Sequence, residues 1–282
     1  MIRQFSEKTR KTVEQLNVID DILFRKMAED ISFCEEVIST IMEQKITILE
    51  VTDQKDITNL QGRSVILDAL CMDENGKRYN IEVQKPDEDD HQRRVRYNAS
   101  CITSNYSKKG IPFEEIPDVV ILFISTFDIF KSGKTTYHID RVIRETGAVA
   151  ENGLTEIYVN AAVDDGSDIS KLMEIFTDSS KYDFEKFPKV SGRKHQFKVD
   201  EGGDAEVCTL VEEYAKEYAK EYAKEAVAEA IEKNTAKTAT AAVDRMITEL
   251  NLNVSEACRI QGITVEKYNE YKTKSNPKPV SD

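Results

Sequence analysis

Residues 64–84 restrict the fold of this chain more tightly than any other stretch. Val65, Ile66, Leu67 and Leu70 on one side, and Tyr79, Ile81 and Val83 on the other, suit strands; Asp73-Glu-Asn-Gly-Lys77 between them demands a chain reversal. A three-residue loop of Glu74, Asn75 and Gly76 puts the glycine in the left-handed position on which such a loop ends. Asp73 then stands opposite Lys77, and counting outward sets Asp68 opposite Glu82. Directly opposed residues of antiparallel strands share a face, and Gln84, two beyond Glu82, shares it too. Two carboxylates facing each other repel. A divalent cation relieves that repulsion, and Mg²⁺ commonly takes one or two carboxylates, with water and phosphate oxygens completing its shell. A two-residue loop would shift the parity and separate the acids.

Asp68, the hairpin and Ile81-Glu82-Val83-Gln84 together resemble the D…ExK core of the PD-(D/E)xK nucleases. The nearest variant is the recombination-promoting nuclease (Rpn) or PD-(D/E)xK nuclease family transposase group, whose strand often reads I-E-x-Q. The resemblance implies an α/β restriction-endonuclease-like core, a mixed sheet flanked by helices. It also implies a Mg²⁺- or Mn²⁺-dependent DNA endonuclease that hydrolyses phosphodiester bonds. On that reading Asp68 and Glu82 are the acidic metal ligands, Gln84 stands in the Lys position, and the Val83 carbonyl is a further ligand. Gln84 cannot carry the lysine charge, so such a site leans more on its metal and its arginines. A second reading keeps the fold without the chemistry, as a DNA-binding or oligomerisation module.

The flanks extend the resemblance. Asp21-Ile-Leu-Phe24-Arg25 is similar to a D-x-x-F-K segment near the start of the family domain. Asp21 is then either a further acid of the site or a first-turn carboxylate favoured by the helix dipole. Downstream, Arg93-Arg94-x-x-Tyr97 matches Arg and Tyr positions of a family helix. Arg93 or Arg94 could meet phosphates while Tyr97 lines the cleft; equally, Arg94 could pair with nearby acids while Tyr97 packs. With Lys85, these form the expected DNA-binding set.

A net charge of −13 argues against a protein that coats nucleic acid non-specifically. The charge is unevenly placed. Acids are dense towards the C-terminus, whereas Lys85, Arg93, Arg94, Arg96, Lys108 and Lys109 follow the hairpin closely. The five cysteines are scattered and lack any C-x-x-C spacing, and the three histidines lie far apart in sequence. Reduced thiols in a cytoplasmic protein, and no zinc site, are expected. No apolar run reaches membrane-spanning length, and the first residues carry no apolar export segment.

Along the chain, 15–40 reads as one or two helices capped by Asn17 or Asp20, and Lys45–Val51 as a strand followed by a polar connection. Pro86 should end strand pairing, with Asp89 or Asp90 capping a helix over 91–107. Pro117–Phe130 reads as a strand buried on both faces, Tyr137–Ile143 and Glu156–Val163 as two more, and Asp168–Ser179 as a helix. Lys131-Ser-Gly-Lys-Thr135 is not a phosphate loop, because the motif's first glycine would fall at Asp128; it is a turn.

The expected organisation is a nuclease-like domain over 1–204, a charged helix over 205–245, a helix-turn-helix-like pair over 246–273 and a disordered tail over 274–282. The Glu-Tyr-Ala-Lys repeats from Glu213 bring Tyr214, Tyr218 and Tyr222 to one drifting stripe. That helix is either a solvated connector or a surface for homo-oligomerisation. In the last pair Ser255 and Thr264 are the expected caps around Gly262, and the second helix offers few basic residues for reading DNA.

Overall fold

The computed structural model describes residues 5–57, 65–85, 87, 90–200 and 203–275. The expected roles of Pro86 and Asp89, and the expected tail from residue 276 on, lie outside the described residues. The chain divides into two compact units, 1–212 and 213–282.

The first unit is built on six strands: β1 (Ile48–Ile57), β2 (Val65–Asp73), β3 (Arg78–Gln84), β4 (Val119–Ser125), β5 (Thr136–Ile139) and β6 (Leu154–Asn160). They form one sheet in the order β1-β2-β3-β4-β6-β5. The β1–β2, β2–β3 and β5–β6 pairs are antiparallel, whereas β3–β4 and β4–β6 are parallel. This is the mixed-sheet α/β architecture that the sequence implies.

Helices cover both faces. α1 (Glu7–Gln15), α2 (Asp21–Ala28) and α3 (Ile31–Ile41) precede the sheet; α4 (His91–Tyr106) follows β3; α5 (Asp168–Thr177) and α6 (Pro188–Lys198) follow β6. On one face α2, α3, α5 and α6 pack Phe24, Phe33, Phe176 and Phe197 against Ala69, Ile81, Val83, Leu122 and Ile157. On the other, α4 packs Val95, Ala99 and Ile102 against Leu70, Ile121, Phe123 and Tyr158. β4, central between two parallel neighbours, is buried along its whole length. Its unbroken Val-Val-Ile-Leu-Phe-Ile run suits a strand covered on both sides.

Several boundaries differ from the sequence expectation. β1 runs on through Ile57, across the stretch read as a polar connection. It is an edge strand, where charged residues are tolerated because one side is free of the ladder. β4 stops at Ser125 rather than Phe130. The chain turns there because the Asp128 carboxylate accepts the backbone N–H groups of Phe130, Lys131 and Gly133 at 3.0, 2.9 and 2.7 Å. Residues 131–135 are accordingly a turn, with Gly133 at φ 67°. β5 ends at Ile139, followed only by a bridge between Val142 and Val149.

Helices α1 and α6 have no counterpart in the sequence reading, and two lysines one turn apart tie α6 to α1 and to α5. Lys198 donates from Nζ to the carbonyls of Val13, Glu14 and Leu16, closing the C-terminal end of α1. Lys194, fully buried, donates to Ile175, Asp178 and Lys181 at 2.9, 2.6 and 2.9 Å, closing α5. Cations at helix C-termini satisfy carbonyls that have no partner within the helix. Burial and the neighbouring Lys198 charge pull the Lys194 pKa down to about 8.

α7 (Gly203–Leu250) begins in the first unit and ends in the second, where α8 (Val254–Gln261) and α9 (Val265–Ser275) follow it. α8 is capped by Asn253, in a reciprocal box with Glu256, and not by Ser255: Asn253 accepts from the Glu256 N–H at 2.9 Å. Gly262 ends it in the left-handed conformation, and Thr264 caps α9. Val243, Ala257, Cys258 and Tyr268 form a small core, with Tyr268 donating to Asp244. The side chains of Tyr214, Tyr218 and Tyr222 lie outside the described residues.

Lys194→Met should leave one buried and two part-buried carbonyls without their charged donor and cost about 2–4 kcal/mol of stability. Urea unfolding followed by circular dichroism measures this; a midpoint equal to that of the parent would show the lysine to be dispensable.

Candidate active site

The hairpin turn is a three-residue loop. The Asp73 N–H donates to the Lys77 carbonyl at 3.1 Å, the Gly76 N–H to Asp73 at 3.0 Å, and Gly76 sits at φ 80°. The register that follows pairs Met72 with Arg78, Cys71 with Tyr79 and Ala69 with Ile81. Continued one step, it sets Asp68 level with Glu82.

Pairing stops at that step. In this register the Val83 N–H would donate to the backbone of β2 at residue 67. Instead it donates to the Asp68 carboxylate, at 3.1 Å. The two strands part, and the Asp68 side chain fills the opening edge-on to the sheet. A residue whose N–H points towards one neighbour points its carbonyl the same way. The Val83 carbonyl therefore faces the Asp68 side as well.

Both carboxylates are removed from solvent, and each is matched by an arginine. Asp68, 3% exposed, takes Arg25 Nη2 at 3.2 Å on its second oxygen. Arg25 also lies 2.7 Å from Asp21, one helical turn before it on α2. Glu82, fully buried, accepts from Arg94 Nη2 at 3.0 Å and from the Asn80 amide at 2.9 Å. The other arm of Arg94 reaches the Gln84 carbonyl oxygen at 2.7 Å. One guanidinium thus ties together the two polar residues at the end of β3.

The pairing leaves negative charge in excess. Burial pushes the Glu82 pKa up, and the Asp68 charge adds to this against the opposing pull of Arg94, to about 8. Asp21 rises to about 6 for the same two reasons, burial and Asp68, against Arg25. Asp21 is thus part of the acidic cluster as well as a first-turn residue of α2.

A cavity of about 300 Å³ opens at the C-terminal end of β3, lined by Asp21, Arg25, Asp68, Val83, Gln84, Lys85 and Arg94 together with Ile19 and Asp20. Lys85 is held at its rim by Asp20, at 2.6 Å. Of the residues singled out in the sequence, Asp68, Val83, Gln84, Asp21, Lys85 and Arg94 meet here, with Glu82 directly behind Arg94. Arg93 does not join them. It lies one position round α4, pairs with Asp90 at 3.3 Å and lines a different groove. Tyr97 packs against the α4-side core and lines neither cavity. Arg25 and Asn80 were not foreseen as site residues; Arg25 was legible only as the basic residue one turn after Asp21.

All the side-chain donors available to a cation here are hard oxygens, the class that Mg²⁺ and Mn²⁺ prefer. Among the described residues, no three or more His, Cys, Asp and Glu side chains form a metal cage. A cation would therefore draw on Asp68, Glu82, a backbone carbonyl, water and substrate oxygens. The charge excess and the donor chemistry fit such an ion.

Comparison with known proteins is consistent with this geometry. The sequence model of the PD-(D/E)XK nuclease family transposase matches residues 29–162, which hold α3, the whole hairpin, α4 and all six strands. No curated protein and no solved structure matches the chain. Among the described residues no helix is long and apolar enough to cross a membrane. Residues 29–162 are thus similar to the PD-(D/E)XK nuclease family transposases.

Proposed function

We propose that this protein is a Mg²⁺-dependent endonuclease that hydrolyses phosphodiester bonds in DNA. The observation that carries the reading is the parting of β2 from β3, which presents the Asp68 carboxylate and the Val83 backbone to one cavity beside Glu82. The similarity of residues 29–162 to the PD-(D/E)XK nuclease family transposases suggests the substrate class.

A divalent ion held by Asp68, Glu82 and the Val83 carbonyl would supply water activation and stabilisation of charge on the scissile phosphate. The remaining roles belong to the chain. Arg94 holds Glu82 and Gln84 in fixed positions and carries positive charge into the cavity, where a phosphate oxygen would compete for its fork. The Gln84 amide can orient the attacking water but cannot lend it charge. Lys85, at the rim, meets the flanking phosphate, and Asp21 adds to the demand for a cation.

One observation favours a second reading, a nuclease fold that holds DNA without cutting it. Arg25 and Arg94 already occupy both carboxylates, and an ion must displace or share them.

Glu82→Ala should abolish Mg²⁺-dependent nicking of supercoiled plasmid; nicking at the parental rate would refute the assignment. Metal binding has its own signature in stability. A carboxylate whose folded pKa is raised binds more protons in the folded than in the unfolded state, so stability present below the unfolded value is lost as pH rises. For Glu82 that window runs from its ordinary 4.5 to about 8. The metal-free melting temperature should fall across this window, and Glu82→Gln should flatten the fall. Added Mg²⁺ should raise the melting temperature more at pH 8 than at pH 5. A Mg²⁺ response absent at both pH values would favour the non-cutting reading.

A further inference from the structure

Beside the acidic cavity, and separate from it, lies a larger groove of about 470 Å³ between the start of α4 and strands β5 and β6. Arg93 and Arg96 line it from α4, and Arg141 lines it from the segment after β5. Its floor is Leu154, Glu156 and Tyr158, with Asp90, Gln92 and Ile139 at the sides. We propose that this groove is a second anion site, one that takes the phosphodiester backbone of nucleic acid away from the point of cleavage. The inference rests on the nuclease reading for the identity of the polymer, and on the groove itself for the site.

Three observations carry it. First, the guanidinium groups have donors to spare. Arg96 and Arg141 make no side-chain ion pair or hydrogen bond among the described residues, and Arg93 makes one exposed pair with Asp90. Arginine's planar fork with five donors is the group best suited to phosphate oxygens.

Second, the two acids in the groove offset this charge weakly. Asp90 is engaged in capping α4, accepting from the Arg93 N–H at 3.1 Å. Glu156 lies in the floor beside the Tyr158 hydroxyl at 3.5 Å, and burial pushes its pKa up against the attraction of Arg141, which leaves Arg93 and Arg96 less offset than Arg141. In a chain of net charge −13, a polyanion is repelled except where cations concentrate, so such a groove decides where it can lie.

Third, the groove stands at a useful distance from the acids. Glu82 pairs with Phe123 and Phe123 with Tyr158, so these three residues form one row across β3, β4 and β6. Two strand spacings separate Glu82 from Tyr158, about 10 Å. A nucleic-acid strand rising about 3.4 Å per nucleotide covers that in roughly three nucleotides. Arg93 and Arg96, three residues apart on α4, sit on one side of the helix and Arg94 on another. The same helix can therefore hold the scissile region with Arg94 and the flanking backbone with Arg93 and Arg96.

The test measures binding without cleavage. Full-length protein is titrated in EDTA against fluorescent duplex and single-stranded DNA by anisotropy, across a salt series. Arg96→Gln with Arg141→Gln should weaken binding about tenfold near physiological salt and reduce the slope of log affinity against log salt by about 1–2, the loss of one or two phosphate contacts. Lys45→Gln with Lys171→Gln, which removes the same charge elsewhere, should change the slope by less than half as much. Parental affinity and slope in the arginine double variant would overturn the proposal, as would an equal effect of the lysine control. Absence of any binding of the parent to either DNA at low salt would overturn it too. Failure of nicking with arginine-dependent binding retained would sink the cleavage reading and leave this groove standing.

Discussion

The hydrogen bond from the Val83 N–H to the Asp68 carboxylate concentrates the logic of this molecule in one contact. It replaces a rung of the β2–β3 ladder, and it exists only because the strands meet in a particular register. That register is set by the turn. Asp73 locks it from within, accepting at one oxygen from the N–H groups of Asn75 and Lys77, both at 2.9 Å, and at the other from the Tyr79 hydroxyl at 3.0 Å. Gly76 supplies the left-handed backbone that the loop's last position needs. A slip of one residue would turn Asp68 and Glu82 away from each other and expose Ile81 and Val83. The buried face of the hairpin and the acidic pair therefore specify the same alignment.

The site that results is costly in electrostatic terms. Buried carboxylates are tolerated only when partnered. Here the partners come from helices on opposite faces of the sheet, Arg25 from α2 and Arg94 from α4. Removing either guanidinium would leave a carboxylate buried beside another of like charge. Burial first, and the Asp68 charge second, push the pKa values of Glu82 and Asp21 up against the pull of the two arginines. A structure selected for stability alone would replace such a cluster with apolar residues. Its place at the open end of β3, beside a cavity, is what the proposed metal-binding role requires.

The hairpin was legible in the sequence because its determinants are local: a turn composition, an alternation of apolar residues and a count from Gly76 outward. Asp68, Glu82 and Gln84 fall into place from that count alone. The arginines needed the third dimension. Nothing in Arg93-Arg94 says which of the pair turns towards the acids, since that depends on the rotation of α4 about its axis. The packing of Val95, Ala99 and Ile102 against β4 fixes that rotation. Arg25 was hidden for the same reason, its role set by where α2 crosses β2. The extension of β1 through a charged stretch escaped the sequence reading because edge pairing follows from the neighbouring strand and not from the strand's own residues. For Tyr97 the sequence left the cleft and the core equally open, and it packs against the core.

The rotation of α4 has a further consequence for how substrate could lie on the protein. A helix packed by residues 95, 99 and 102 carries basic residues of its first turns on either side of the packing line. Arg94 falls on the side that meets Glu82 and Gln84, and Arg93 and Arg96 on the side that faces Arg141. The aromatic packing between these sides, His91 against Phe123 and Phe127, keeps them apart. A flexible loop carrying the same arginines could satisfy the acids with any of them. Because the helix is rigid and its core contacts fix its phase, Arg94 is committed to the acids while its neighbours stay available to a second ligand.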